Sequence, residues 1–243
     1  MLTDAPPQSH RIIRKIIPSF LHPFLRGFRK RLNSTSRPTE EPYRTVFPYT
    51  QVHQIRQRNL LYLSRDIDAR NVPGAIVECG VLDGGTAAIM AFGTSGSQRE
   101  VHLFDSWQGL PETTTKDGDA AKAWAGDVIG SQTRVRSVLR QLNVKLERVT
   151  FHKGWFDQTF PKANINGVAL LHIDADFYSS VRLSIETWFP KLSPGGYMQF
   201  DDYSAFVGCK RAVDEFLSAH PELNLENKEG IVFYVQKPGH YDN

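Results

Sequence analysis

The chain has 243 residues, enough for one substantial domain with an appended segment and too few for two domains of ordinary size. With 40% hydrophobic and 23% charged residues it has the composition of an ordinary soluble globular protein. The net charge of +3 is unevenly spread: residues 1–45 carry nine basic and three acidic side chains, +6 in all, and the remainder is −3, which argues against nucleic-acid binding by the body of the protein.

Two cysteines, Cys79 and Cys209, are too few for a disulfide framework and lack zinc-ligand spacing, so a reducing, cytoplasmic setting is expected. No run of about 20 apolar residues offers a membrane span. The N-terminus has no uninterrupted apolar stretch followed by a small-residue cleavage site, so no secretory signal is expected.

In chain order the first feature is a basic amphipathic segment, residues 11–32. Ile12, Ile16, Phe20, Phe24 and Phe28 recur every four positions, with seven Arg and Lys residues clustered at the two ends. Such a stripe can lie peripherally on an anionic membrane surface or pack against protein, either this domain or a second subunit of a homo-oligomer. Pro18 and Pro23 break any single long helix there. Residues 34–48 are polar and proline-bearing and read as a linker, so the appended segment is placed at 1–45 and the folded domain at 46–243.

From Val52 to Arg70 the apolar spacing predicts a helix, stopped by Val72-Pro73-Gly74. Then come a strand at Ala75–Cys79, a helix at Gly84–Phe92 and a strand at Val101–Phe104 ending on Asp105. The polar stretch from Trp107 to Gly130 interrupts this rhythm, and loops of that length are usually functional. Beyond it the pattern predicts a helix at Ser131–Leu142 and strands at Val149–His152 and Val168–Ile173. A helix at Ser180–Trp188, a strand at Gly196–Phe200, a helix at Lys210–Ala219 and a last strand at Ile231–Val235 follow. Repeated βα units of this size predict an α/β fold, a doubly wound and mostly parallel sheet with helices on both faces. Ligands bind such sheets outside the carboxyl ends of the strands.

The unusual residues fall at those ends. Glu78-Cys79-Gly80 runs through Gly84, Gly85 and Thr86 from strand to helix, and the glycines would let the backbone approach a ligand. The dinucleotide fingerprint needs glycine where Leu82 stands, which disfavours a nicotinamide cofactor. An acid-x-Gly-x-x-x-Gly turn suits S-adenosylmethionine, which has no pyrophosphate, and Glu78 could balance its ammonium and sulfonium charges. Asp105, ending the next strand, is placed to accept hydrogen bonds from ribose hydroxyls.

The fourth strand ends His172-Ile173-Asp174-Ala175-Asp176 and the fifth ends Phe200-Asp201-Asp202. Neighbouring strands lie about 4.8 Å apart, so four carboxylates gather in one region. Two like charges about 4 Å apart repel by about 4 kcal/mol at an effective dielectric of 20. Several such pairs would consume much of a typical stability of about 5–15 kcal/mol, so protons, basic partners or a cation must neutralise them. An oxygen-only donor set favours Mg²⁺, Mn²⁺ or Ca²⁺. Asp201 and Asp202, being adjacent, converge only if the strand has ended. A carboxylate outside the metal's shell could act as base, with His152 and His172, near strand ends, as competitors.

Taken with Phe104-Asp105-Ser106-Trp107-Gln108-Gly109-Leu110-Pro111, Gly154-Trp155-Phe156, Asp174-Ala175-Asp176-Phe177-Tyr178 and Asp201-Asp202-Tyr203, these motifs resemble the macrocin O-methyltransferase family of metal-dependent sugar methyltransferases. The likeness spans residues 49–236. It implies a class I methyltransferase Rossmann-like fold and Mg²⁺ held by Asp174, Asp201 and Asp202, with Asp176 as general base. It also implies S-adenosylmethionine contacts from Glu78, Gly80, Gly84, Thr86, Asp105, Ser106 and Trp155. The acceptor would be a hydroxyl of a sugar-containing substrate, and the 107–130 loop and the region near Tyr49 would close over it. Two other readings stay open, a catechol-type O-methyltransferase and a non-catalytic cofactor-binding scaffold.

Overall fold

A computed structural model describes residues 37–97 and 99–239. The amphipathic segment 11–32 lies outside the described residues.

The chain alternates strands β1 (Ala75–Cys79), β2 (Val101–Asp105), β3 (Val149–Lys153), β4 (Val168–Ile173), β5 (Leu192–Phe200), β6 (Glu226–Lys228) and β7 (Val232–Gln236) with helices. The helices are α1 (Tyr43–Val46), α2 (Gln54–Ala69), α3 (Gly85–Gly93), α4 (Gln132–Gln141), α5 (Phe156–Thr159), α6 (Tyr178–Trp188) and α7 (Val207–Ala219). The strands form one sheet in the order β3-β2-β1-β4-β5-β7-β6. The first five pair in parallel, and β7 runs antiparallel between β5 and β6. The order reverses between β1 and β4, and at such a switch point their carboxyl ends open a crevice.

Side-chain alternation builds a core on each face. Ile76, Leu103 and Leu170 meet Leu60, Leu63 and Ile67 of α2, Ile89 of α3 and Leu139 of α4 on one side. Val77, Cys79, Leu171, Ile173 and Phe200 meet Val181 and Trp188 of α6 and Val213 of α7 on the other. β1 and β4 are buried along their whole length and are apolar except for Glu78 and His172.

Several features differ from the sequence reading, among them β5, which begins at Leu192 rather than Gly196. The proline-bearing stretch read as a linker contains α1, whose Tyr43 and Val46 belong to the core, so the packed domain begins before residue 46. β6 carries only exposed residues, Glu226, Asn227 and Lys228, and so has no apolar signal. α6 and α7 begin two and three residues earlier than their periodicity suggested, at Tyr178 and Val207.

Candidate active site

The carboxyl ends of β1, β2, β4 and β5 surround a cavity of about 520 Å³, within the usual range of small-molecule sites. Gly80, Thr86, Asp105, Ser106, Trp155, Asp174, Asp176, Asp201 and Asp202 line it. Glu78 and Gly84, which the sequence placed on the cofactor, do not.

The glycine turn works differently from its sequence reading. A Cβ on Gly80 would stand 1.8 Å from the carbonyl oxygen of Asp174, and one on Gly84 would strike Val135, 2.7 Å away. At both positions the close neighbour is the protein's own chain. Leu82, where a dinucleotide site would have glycine, itself takes a left-handed φ of 53°. Val128 (φ 61°) and Asp176 (φ 54°) line the same cavity, so strained backbone gathers at the site.

Asp105 holds that turn in shape. Its Oδ2 accepts the main-chain N–H groups of Val81 and Leu82 at 2.8 and 2.9 Å, and its Oδ1 accepts Trp107 N–H at 2.6 Å. The 107–130 loop then leaves and returns at one point: Trp107 Nε1 and Ser131 N both donate to the Leu82 carbonyl, at 3.0 and 3.2 Å. Midway, buried Asp117 accepts the N–H of Tyr178, the first residue of α6, at 2.6 Å and that of Thr114 at 2.7 Å. The loop's Leu110, Trp124 and Val128 face the cavity.

The acids converge because β5 ends at Phe200. There the chain turns, and Asp202 accepts the N–H of Asp176 at 3.0 Å. One oxygen from each of Asp174, Asp201 and Asp202 fits within a 4.8 Å cluster. Burial, and then the charges of Asp201 and Asp202, hold Asp174 well above the usual carboxylate range. Burial with Asp202 and Asp201 does the same to Asp176, and burial with Asp201 pushes Asp202 up to about 7. Burial and mutual repulsion favour the protonated forms, and an all-oxygen cluster of this size suits a hard divalent ion.

Two cations face Asp201. Arg56 of α2 donates from NH1 to Oδ2 at 2.9 Å and from Nε to the Ile231 carbonyl at 2.7 Å. On the other side His172 Nε2 lies 3.7 Å from Oδ1, an ion-pair distance longer than a hydrogen bond. His172 is fully buried, and its Nδ1 meets Glu78 Oε1 at 2.9 Å. Burial opposes its charge, yet Asp201 and Glu78 raise its pKa to about 9. Burial keeps Glu78 above its ordinary value despite the imidazole. His152 stacks on Phe104 with ring centroids 4.1 Å apart, and burial beside His102 pushes its pKa down to about 4. Neither histidine lines the cavity.

The family model for macrocin-O-methyltransferase (TylF) matches residues 23–228. The chain belongs to that family. The novobiocin-pathway enzyme demethyldecarbamoylnovobiocin O-methyltransferase of Streptomyces niveus is 34% identical over 200 residues, 75% of this chain and 74% of the relative. Mycinamicin III 3''-O-methyltransferase of Micromonospora griseorubida is 32% identical over 196 residues, 76% of each. Among solved structures, the O-methyltransferase NovP superposes with a TM-score of 0.72 at 28% identity, covering 91% of this chain and all of that one. The calicheamicin methyltransferase CalS11 shares the fold with a TM-score of 0.66 at 20% identity, covering 93% and 94%.

The protein is therefore an S-adenosylmethionine-dependent O-methyltransferase with the class I fold. In this methyltransferase Asp105→Asn is expected to weaken cofactor binding about 10- to 150-fold, since a charge-assisted hydrogen bond is worth about 1.5–3 kcal/mol. The amide also puts a donor where Val81, Leu82 and Trp107 present donors. Calorimetry with S-adenosylhomocysteine checks this, and unchanged affinity would remove Asp105 from the cofactor site.

Proposed function

We propose that the enzyme methylates a hydroxyl of a sugar-containing acceptor, with Mg²⁺ held by Asp174, Asp201 and Asp202 and with Asp176 as general base. The observation that carries this is the three-carboxylate cluster opening into the same cavity as the glycine turn. Support for the acceptor comes from the relatives. One from Streptomyces olivaceus, 32% identical over 178 residues, is named as the 4'-O-methyltransferase of a dimethoxy-rhamnosyl tetracenomycin.

Bound S-adenosylmethionine supplies the methyl group as an electrophilic sulfonium. Bound Mg²⁺ would supply Lewis-acid polarisation of the acceptor hydroxyl and a fixed position for its oxygen. The protein's own part is positional and protolytic. The left-handed φ at Asp176 and its N–H bond to Asp202 fix the residue beside the cluster, where its carboxylate takes the hydroxyl proton. Leu110, Trp124, Val128 and Phe206 give the cavity apolar surface beside the carboxylates.

Two arms test the reading. Chelation should abolish turnover and added Mg²⁺ restore it, and full activity in excess chelator would falsify the metal assignment. A rhamnosyl glycoside and a simple catechol, offered separately, should give a methylated product only from the glycoside by mass spectrometry. Methylation of the catechol alone would overturn the sugar reading.

A further inference from the structure

The mechanism above leaves two buried ionisable groups without a task, Glu78 and His172. Both are 0% exposed, and neither reaches the cavity wall. They are direct cross-strand partners in the β1–β4 pairing, and His172 in turn pairs with Gln199 on β5. These side chains form a polar row on the sheet face that otherwise carries Ile76, Leu103 and the α2 core. Asn59 of α2 extends it, donating to Gln199 Oε1 at 2.8 Å and accepting from Lys228 Nζ at 3.0 Å. A polar row through a hydrophobic core is costly unless it is satisfied or used.

The row leads to one metal-site acid. Glu78 Oε1 holds His172 Nδ1 at 2.9 Å, which turns Nε2 toward Asp201 Oδ1 at 3.7 Å. Arg56 grips the other oxygen of Asp201. The carboxylate is thus clamped between an imidazole behind the strand ends and a guanidinium across the cavity. We propose that Glu78 and His172 are positioning residues for Asp201, so that the acid of the first strand serves the cation site rather than the cofactor. The proposal rests on the reading of the carboxylate cluster as a Mg²⁺ site. It follows the general design in which a second layer of hydrogen-bonded groups orients a ligand.

The test separates cation from cofactor. In the full chain, Glu78→Gln is expected to weaken Mg²⁺ binding by about 10- to 100-fold, the usual effect of losing such an orienting partner. Affinity for S-adenosylhomocysteine should stay within about twofold. Both are read by calorimetry, with circular dichroism to establish folding. If that variant does not fold, Glu78→Asp, which keeps the charge but withdraws it from Nδ1, takes its place. His172→Asn supplies the decisive combination: if Glu78 acts through His172, the double variant binds Mg²⁺ no more weakly than His172→Asn alone. Additive losses would overturn the proposal. So would lost S-adenosylhomocysteine affinity with Mg²⁺ binding retained. If the parent binds no Mg²⁺, the metal reading fails and takes the proposal with it. If Asp201→Asn weakens Mg²⁺ binding and Glu78→Gln does not, the proposal alone fails.

Discussion

Asp176→Asn is expected to lower kcat by about 10²- to 10⁴-fold, the usual contribution of a general base, while Mg²⁺ affinity is retained. Asparagine is the informative replacement because it also tolerates a left-handed backbone, and the φ of 54° at this position must survive. The main-chain N–H bond to Asp202 survives with it, so the metal-site acid keeps its partner. Only the proton acceptor is removed. The pH profile provides the sign. Only the ionised form of Asp176 can take a proton; burial and the charges of Asp202 and Asp201 raise its pKa in the cation-free protein, and a bound cation opposes that shift. The parent rate should therefore climb as pH rises through that pKa, and this limb should vanish in the variant. Single-turnover rates with calorimetric Mg²⁺ titration check both parts. Loss of Mg²⁺ binding in place of rate would make Asp176 a ligand rather than the base.

The second large effect is on stability. Gly80→Ala should destabilise the protein by about 2–5 kcal/mol, the sum of a left-handed backbone penalty and overpacking. The added carbon would lie 1.8 Å from the Asp174 carbonyl oxygen, at a φ of 88°. The ends of β1 and β4 would have to separate, although Asp174 N–H is tied to the Cys79 carbonyl at 2.9 Å. Gly118→Ala is the control. Its φ of 76° is also left-handed, but nothing stands within 4 Å of the added carbon, so only the backbone penalty of about 1–2 kcal/mol applies. At about 2–4 °C per kcal/mol for a chain of this size, Gly80→Ala should melt roughly 10 °C below the parent and Gly118→Ala only a few degrees below. Equal shifts would show that β1 and β4 can part cheaply.

These two residues also show what could be read from the sequence. Strands β1 and β4 were legible to the residue because both faces are buried, and a single polar residue in each, Glu78 and His172, did not break the apolar run. β6 was not, since its three side chains all face solvent. The carboxylates were legible because strand ends in a doubly wound sheet converge whatever the intervening helices do. Arg56 was invisible: an arginine among charges on an amphipathic helix reads as a solvent face, and its partner lies 145 residues away. Glu78 was placed beside the glycine turn, but its pairing with His172 was not legible. Its contact with His172 depends on the β1–β4 register, which no local pattern encodes.

The point where the 107–130 loop leaves and rejoins the fold has a consequence for how acceptor preference can change. Both ends meet at a single carbonyl, that of Leu82, and buried Asp117 pins the middle to the first residue of α6. The reacting carboxylates all sit elsewhere, on the turns after β4 and β5. Loop and carboxylates are therefore separate parts of the chain, joined by the Trp107 and Asp117 side-chain hydrogen bonds and by the packing of Trp107 and Ala121 in the two cores. A segment with coincident ends can be exchanged like a cassette, its length and side chains altered while its anchor stays fixed. The expected result of exchanging this loop is a change of acceptor with the carboxylates left as they are, and product analysis of a loop chimaera checks it.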